Sequence, residues 1–230
     1  MKRKTMICAV SITVNILFAA GIIGVTGWKY YRKMTRPFRA DYYESKTSHF
    51  ATISGGKPDI VFIGDSQTDR CEWAELFGRC GIVNRGIDGD TTDGVLNRLE
   101  EIITMKPKKI FIMIGGADFI IGRTIPRIEE NYKKIIARIR AESPRTKIYI
   151  QSVLPTDQKK APVPPGLIPG LNERLRTLAD NDNVIYLDIY GAMADASGGL
   201  DPSYSIDGVH LNGKGYMVWR EALAPYVHPR

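Results

Sequence analysis

The chain predicts an α/β fold, a parallel sheet covered by helices on both faces. Three observations carry this. Five short apolar runs rich in β-branched residues recur between residues 59 and 187, each followed by a helix-like segment or a long connection. The runs are continuous rather than alternating, as in strands buried on both faces. The connections are long enough for the crossovers that parallel neighbours need. Periodicity does not give the strand order.

The first strand is Asp59-Ile60-Val61-Phe62-Ile63, running straight into Gly64-Asp65-Ser66-Gln67-Thr68. Ile82-Val83-Asn84 is a second, short strand. Thr91 or Thr92 can cap a helix that carries Val95, Leu96, Leu99, Ile102 and Ile103 on one face and stops near Pro107. Lys109 to Ile114 forms a third strand, ending in Gly115-Gly116. Pro126 opens a helix with Ile128, Tyr132, Ile135, Ile136 and Ile139 on one stripe, and Pro144 closes it. Lys147 to Val153 is a fourth strand, followed by a loop over Asp157 to Gly170 that holds four prolines. Leu171, Leu175 and Leu178 mark a further helix, Val184 to Leu187 a fifth strand, and about Gly213 to Tyr226 a last helix.

Ahead of this domain, Ile7 to Trp28 is 22 residues without a charge. As a helix it would span roughly 33 Å, enough for a bilayer core of about 30 Å. Lys2-Arg3-Lys4 precede it, and Trp28, Tyr30 and Tyr31 follow among basic residues, as at a membrane interface. A cleaved signal peptide is the alternative, with Ala19-Ala20-Gly21 as its small-residue site, but the apolar run continues past it. The expectation is an anchor over residues 1–33, a polar stem over 34–57 and one domain over 58–230. Basic residues flank both ends of the span, slightly more after it, which by itself places the body in the cytoplasm. A short basic tail, one span and a long domain is instead the order of a signal anchor. An extracytoplasmic domain, periplasmic or at the cell surface, is the expectation.

At 43% hydrophobic and 25% charged, the 230 residues are ordinary globular material. The net charge of +7 does not indicate nucleic acid. Residues 1–40 hold eight Lys/Arg and no Asp or Glu, which leaves 24 basic against 25 acidic residues for the body. Three cysteines are too few for a disulfide scaffold. Cys71 and Cys80 could pair or stay as buried thiols. No Cys/His cluster has metal-ligand spacing, and neither a metal nor an organic cofactor is implied.

Chemistry concentrates after the strands, where open α/β sheets bind ligands. Ser66 is placed as a nucleophile would be, or as the cap of the next helix. A nucleophilic Ser needs a base and a group to orient it. Of three histidines, His49 lies in the stem and His228 near the end. His210 sits in Asp207-Gly208-Val209-His210, a turn that can supply both base and orienter or simply cap the last helix. Two Gly-rich turns, Asn84 to Thr91 and Gly115 to Asp118, can present backbone N–H groups to an oxyanion or can be ordinary strand–helix turns. The first strand leads to Gly-Asp-Ser-Gln rather than Gly-x-Gly-x-x-Gly, and no P-loop pattern occurs.

Four short blocks in this order resemble the SGNH hydrolase family, the GDSL-like lipases and esterases. They are Gly64-Asp65-Ser66-Gln67-Thr68, Asn84 to Thr91, Gly115-Gly116-Ala117-Asp118 and Asp207-Gly208-Val209-His210, within a match over about residues 58–227. The resemblance implies a flavodoxin-like α/β/α fold with strand order 2-1-3-4-5. It also implies Ser66 as nucleophile, His210 as base, Asp207 as its orienter, and the Gly89 and Ser66 N–H groups as oxyanion donors. Asp65, Gly116 and Asp118 would line the substrate. The family's third block normally reads Gly-x-Asn-Asp, its Asn side chain being an oxyanion donor; this chain has Ala117 there. Loss of one donor costs about 10²–10³ in rate. A slow hydrolase, a substitute donor and a site that binds without turnover all fit that departure. The expected activity is a serine esterase on short acyl esters, O-acetyl groups on carbohydrate among them. The alternatives are a membrane-anchored O-acyltransferase acting on polysaccharide and a glycan-binding module.

Overall fold

The computed structural model describes residues 40–53, 55–161 and 163–228, with Gly21 and residues 24–27 ahead of them. The chain divides into two compact units, Met1–Arg36 and Pro37–Arg230. In the first, Gly21 and residues 24–27 are helical. The rest of the apolar span expected over residues 7–28 lies outside the described residues. Among the described residues no helix is long and apolar enough to cross a membrane.

The second unit holds a five-stranded sheet, β1 (Ile60–Gly64), β2 (Ile82–Gly86), β3 (Lys109–Met113), β4 (Lys147–Gln151) and β5 (Val184–Leu187). All neighbours are parallel, in the order β2-β1-β3-β4-β5. The chain therefore reverses its direction of travel at β1, and the crevice between the loops after β1 and β3 is the place where such sheets bind ligands. The register aligns Gly64 with Gly86 and Met113, so the turns after β1, β2 and β3 leave the sheet at one level.

Successive β1 side chains alternate between two cores. Val61 and Ile63, with Ile110, Ile112, Ile148 and Ile150, face α4 (Thr92–Asn97), α5 (Leu99–Thr104), α7 (Ile125–Glu142) and α8 (Leu167–Arg176). The stripe expected on α7 is the face it buries, from Ile128 through Tyr132 and Ile135 to Ile139. Each buried Ile stabilises by about 1.5–3 kcal/mol relative to exposure. On the other face Ile60, Phe62, Phe111 and Tyr149 meet Trp73 and Phe77 and the helix α10 (Gly213–Val227). There the rings stack across the strands: Trp73 on Phe62 at 3.9 Å, Phe62 on Phe111 at 4.9 Å, Phe111 on Tyr149 at 4.6 Å. Trp219 of α10 meets Trp73 edge-on at 5.0 Å, and its indole donates to Gln151 Oε1.

Three expectations change. Residues 34–57 contain a 14-residue helix, α1 (Ala40–Ile53), docked on the domain through Phe50, Tyr42, Tyr43 and Lys46. The single helix expected from Thr91 to Pro107 is two, α4 and α5, because Arg98 leaves the helical path and turns its guanidinium inward to Asp90. The prolyl loop ends at Gly166 rather than Gly170, since Pro169 sits in the first turn of α8, where no N–H is needed. Short helices α2 (Ser66–Asp69), α3 (Trp73–Leu76), α6 (Gly116–Ile120) and α9 (Tyr190–Met193) complete the unit. Cys71 and Cys80 are both free; Cys71 is buried and Cys80 is exposed.

Candidate active site

The turn after β1 removes the capping reading of Ser66. Asp65, not Ser66, caps α2, its Oδ1 accepting the Gln67 N–H at 3.1 Å. Ser66 is left with a free hydroxyl at the carboxyl edge of the sheet, and His210 Nε2 stands 3.1 Å from its Oγ. On the other side of the imidazole, Nδ1 lies 2.6 Å from Asp207 Oδ2. Asp207 Oδ1 accepts the Val209 and His210 N–H groups at 2.9 and 2.8 Å, which shapes the turn so that carboxylate and ring face each other. Partial burial works against ionisation of Asp207, but His210 and these N–H groups outweigh it and hold the carboxyl well below the usual range. His49 and His228 lie elsewhere, beside Phe50 and Phe77.

Gly89 occupies the third place of a turn closed by Asp90 N–H on Ile87 O, with φ at +77°. Positive φ at that place alone is a type II turn, which favours glycine. The Gly89 N–H has no acceptor in the described protein, and neither has the Ser66 N–H. Both residues border a cavity of about 280 Å³ beside the Ser66 hydroxyl. Its floor and walls are apolar, from Met113, Ile120, Val153, Leu154, Val163 and Ile168, with Gly116 and the Ala117 methyl between them. Val163 and Ile168 bring the prolyl loop and α8 into the wall. Asp157 N–H ties that loop to Gly208 O at 2.7 Å, next to the His210 turn.

Asp65 also borders the cavity and is almost fully buried. Burial pushes its carboxyl up to about 7; the Gln67 N–H opposes this, and the charges of Asp90, Asp118 and Asp88 add to it. Asp118, expected to line the substrate, does not reach the cavity. Its buried carboxylate takes the Thr92 N–H at 2.9 Å and the Thr92 hydroxyl at 2.7 Å, and so joins α6 to α4. Burial raises its pKa against these bonds.

Several supports had no role assigned from the sequence, although Gln67, Asn84 and Gly86 lie within the family blocks. Gln67 donates to Val209 O and accepts from Leu211 N–H, joining the Ser66 turn to the His210 turn. The Tyr216 hydroxyl donates to Gln67 O at 2.9 Å. The Asn84 amide donates to Thr68 O, Asp69 O and Cys71 O, and its Oδ1 accepts Gly86 N–H. The approach there is close: a Cβ on Gly86 would come within 2.2 Å of Asp69 N. Asp69 Oδ2 accepts the Asp88 N–H at 3.1 Å, one residue before Gly89. Beneath the turn, Arg98 and Asp90 form a buried ion pair at 2.8 Å.

A parallel sheet in this order, with a hydrolase-like Ser, His and Asp gathered at its carboxyl edge, defines a class of ester hydrolases. The chain belongs to the GDSL-like lipase/acylhydrolase family, whose model matches residues 62–218. Platelet-activating factor acetylhydrolase IB subunit alpha2 of Rattus norvegicus is 32% identical over 167 residues, 70% of this chain and 72% of that one. A solved structure from Streptococcus pneumonia is 27% identical with a TM-score of 0.75, covering 90% of this chain and 99% of that one. A GDSL-like lipase from Bacteroides thetaiotaomicron, 23% identical, shares the fold with a TM-score of 0.69 over 80% of this chain and 96% of that one.

Proposed function

We propose that the chain is a serine esterase that uses Ser66, His210 and Asp207. Nδ1–H of His210 donates to Asp207, which leaves Nε2 to accept the Ser66 proton as Oγ attacks the ester carbonyl. The Ser66 and Gly89 N–H groups receive the oxyanion. His210 then gives its proton to the departing alcohol oxygen. Water, deprotonated by His210, attacks the acyl-enzyme and returns Ser66. The observation that carries this reading is the continuous Ser66–His210–Asp207 contact beside two N–H groups without acceptors.

Short acyl esters are the proposed substrates. A small apolar cavity beside Ser66 supports an acyl group there, and relatives named acetylhydrolases support a short one. We also propose residues 7–28 as a single-pass anchor that keeps the domain outside the cytoplasm, where acylated surface carbohydrate is within reach. A serine-directed fluorophosphonate probe tests the central claim. Labelling of the wild type and not of Ser66→Ala is expected. Labelling of neither protein would replace the esterase with a binding module.

A further inference from the structure

The cavity has two backbone donors for an oxyanion and, at residue 117, a methyl group. Asp65 borders the same cavity, together with Ser66, Gly89, Gly116 and Ala117, and is 7% exposed. One oxygen is occupied, Oδ1 accepting the Gln67 N–H. Oδ2 has no partner in the described protein. It lies over Gly116, 3.6 Å from where a Cβ on that residue would be, and it is the sole atom that such a Cβ would meet within 4 Å.

Asp65 makes no ion pair among the described residues. Asp88 and Asp90, from the loop after β2, and Asp118, from α6, all raise the cost of ionising it. The buried cation Arg98 pairs with Asp90 and reaches Gly64 O through Nε and Nη2, while its Nη1 has no hydrogen-bond partner among the described residues and makes no bond to Asp65. From α7 the Tyr132 hydroxyl is engaged with Ile114, and from α10 the Tyr216 hydroxyl donates to Gln67 O. His210 borders the same cavity but is turned to Ser66 and Asp207. An unpaired buried carboxyl takes up a proton, and the acid then needs an acceptor. Oδ2 lies on the Gly116 side of Asp65, and both residues border the cavity. Carboxylic acids kept neutral by their surroundings serve elsewhere as oxyanion donors.

We propose that Asp65 is a catalytic residue of this site, its Oδ2–H donating a hydrogen bond to the substrate's carbonyl oxygen as charge develops on it. It joins the Ser66 and Gly89 N–H groups and stands in for a side-chain donor at residue 117. Its proton stays on Asp65 throughout. The proton that moves is that of Ser66, which passes to His210 and on to the leaving oxygen. The inference rests on Ser66 being the nucleophile.

Hydrolysis of a short ester as a function of pH, in wild type, Asp65→Asn and Ala117→Asn, tests it. Asp65→Asn keeps an oxygen for the Gln67 N–H and replaces the acid with an amide that donates at every pH. In the wild type, kcat should fall on the alkaline side with a midpoint near 7, where Asp65 loses its proton, by about 10²-fold, the usual cost of one oxyanion donor. In Asp65→Asn that fall should vanish. Ala117→Asn should flatten the alkaline limb in the same way, and does not depend on Asp65→Asn folding. An alkaline limb unchanged in both variants, with Ser66 still labelled by fluorophosphonate, would overturn the proposal and leave the esterase standing. Absence of labelling in the wild type would instead remove the reading on which it rests.

Discussion

At the scale of single residues, the site divides into groups that identity alone reveals and groups that only orientation reveals. Ser66, Asp207 and His210 belong to the first kind: their spacing offers them as candidates beside helix-capping readings, and the family resemblance gives them their roles. Asp65 and Asp118 belong to the second. Both are buried carboxyls in Gly-rich blocks, yet one borders the cavity and the other is tied to Thr92. Nothing in a linear pattern says which way a carboxyl points. Asp207 carries a residue-scale prediction. Its replacement by Asn keeps the size but removes the charge that holds Nδ1–H towards it. Asp207→Asn should lower kcat by about 10⁴-fold with little change in folding, read by steady-state hydrolysis beside a melting curve. Ala117 carries another. Ala117→Asn adds a side-chain donor to the cavity and should raise kcat at neutral pH on a p-nitrophenyl ester, with KM little changed. A flat or lower rate would mean that residue 117 does not face the oxyanion.

At the scale of elements, the strands were legible because each is a short apolar run, and α7 because its stripe has helical spacing. Helix α1 was not. Phe50 is its one buried residue, and it is held by polar contacts that leave no apolar period to read. Those contacts matter. Tyr42 and Lys46 reach Asp69 at 2.7 and 2.6 Å, and Asp69 in turn holds the Asp88 N–H beside Gly89. Removing both partners leaves a largely buried carboxylate free to swing away from Asp88. Tyr42→Phe combined with Lys46→Met should therefore lower kcat by about tenfold, of the order of one or two lost hydrogen bonds, with KM nearly unchanged. A rise in KM alone would place α1 at substrate binding instead. The prolyl loop yields the complementary prediction. Val163 borders the cavity, so shortening the loop between Asp157 and Gly166 should change preference across a panel of acyl chain lengths. An unchanged ranking would show that the loop is not part of the acyl wall.

At the scale of the molecule, the parallel architecture followed from the number and character of the strands, while their order did not. Order is set by which helix covers which face, and that depends on contacts between residues far apart in sequence. Trp219 is an example. It is followed in the chain by a mostly apolar stretch that reads as any amphipathic helix, yet its ring closes an aromatic stack begun by Trp73 and Phe62. Trp219→Ala should cost about 3–5 kcal/mol in denaturant unfolding, and it should also lower activity, because α10 starts three residues after His210.

That pair of indoles has a practical side. The described residues contain two tryptophans, and both are wired to the site: the Trp73 indole donates to Thr68 O, two residues after Ser66, and Trp219 sits on the helix that follows His210. Two indoles 5.0 Å apart and nearly perpendicular couple as transition dipoles. Near-ultraviolet circular dichroism should thus report whether the segments that carry Ser66 and His210 are packed together, before any substrate is added and in variants too slow to assay.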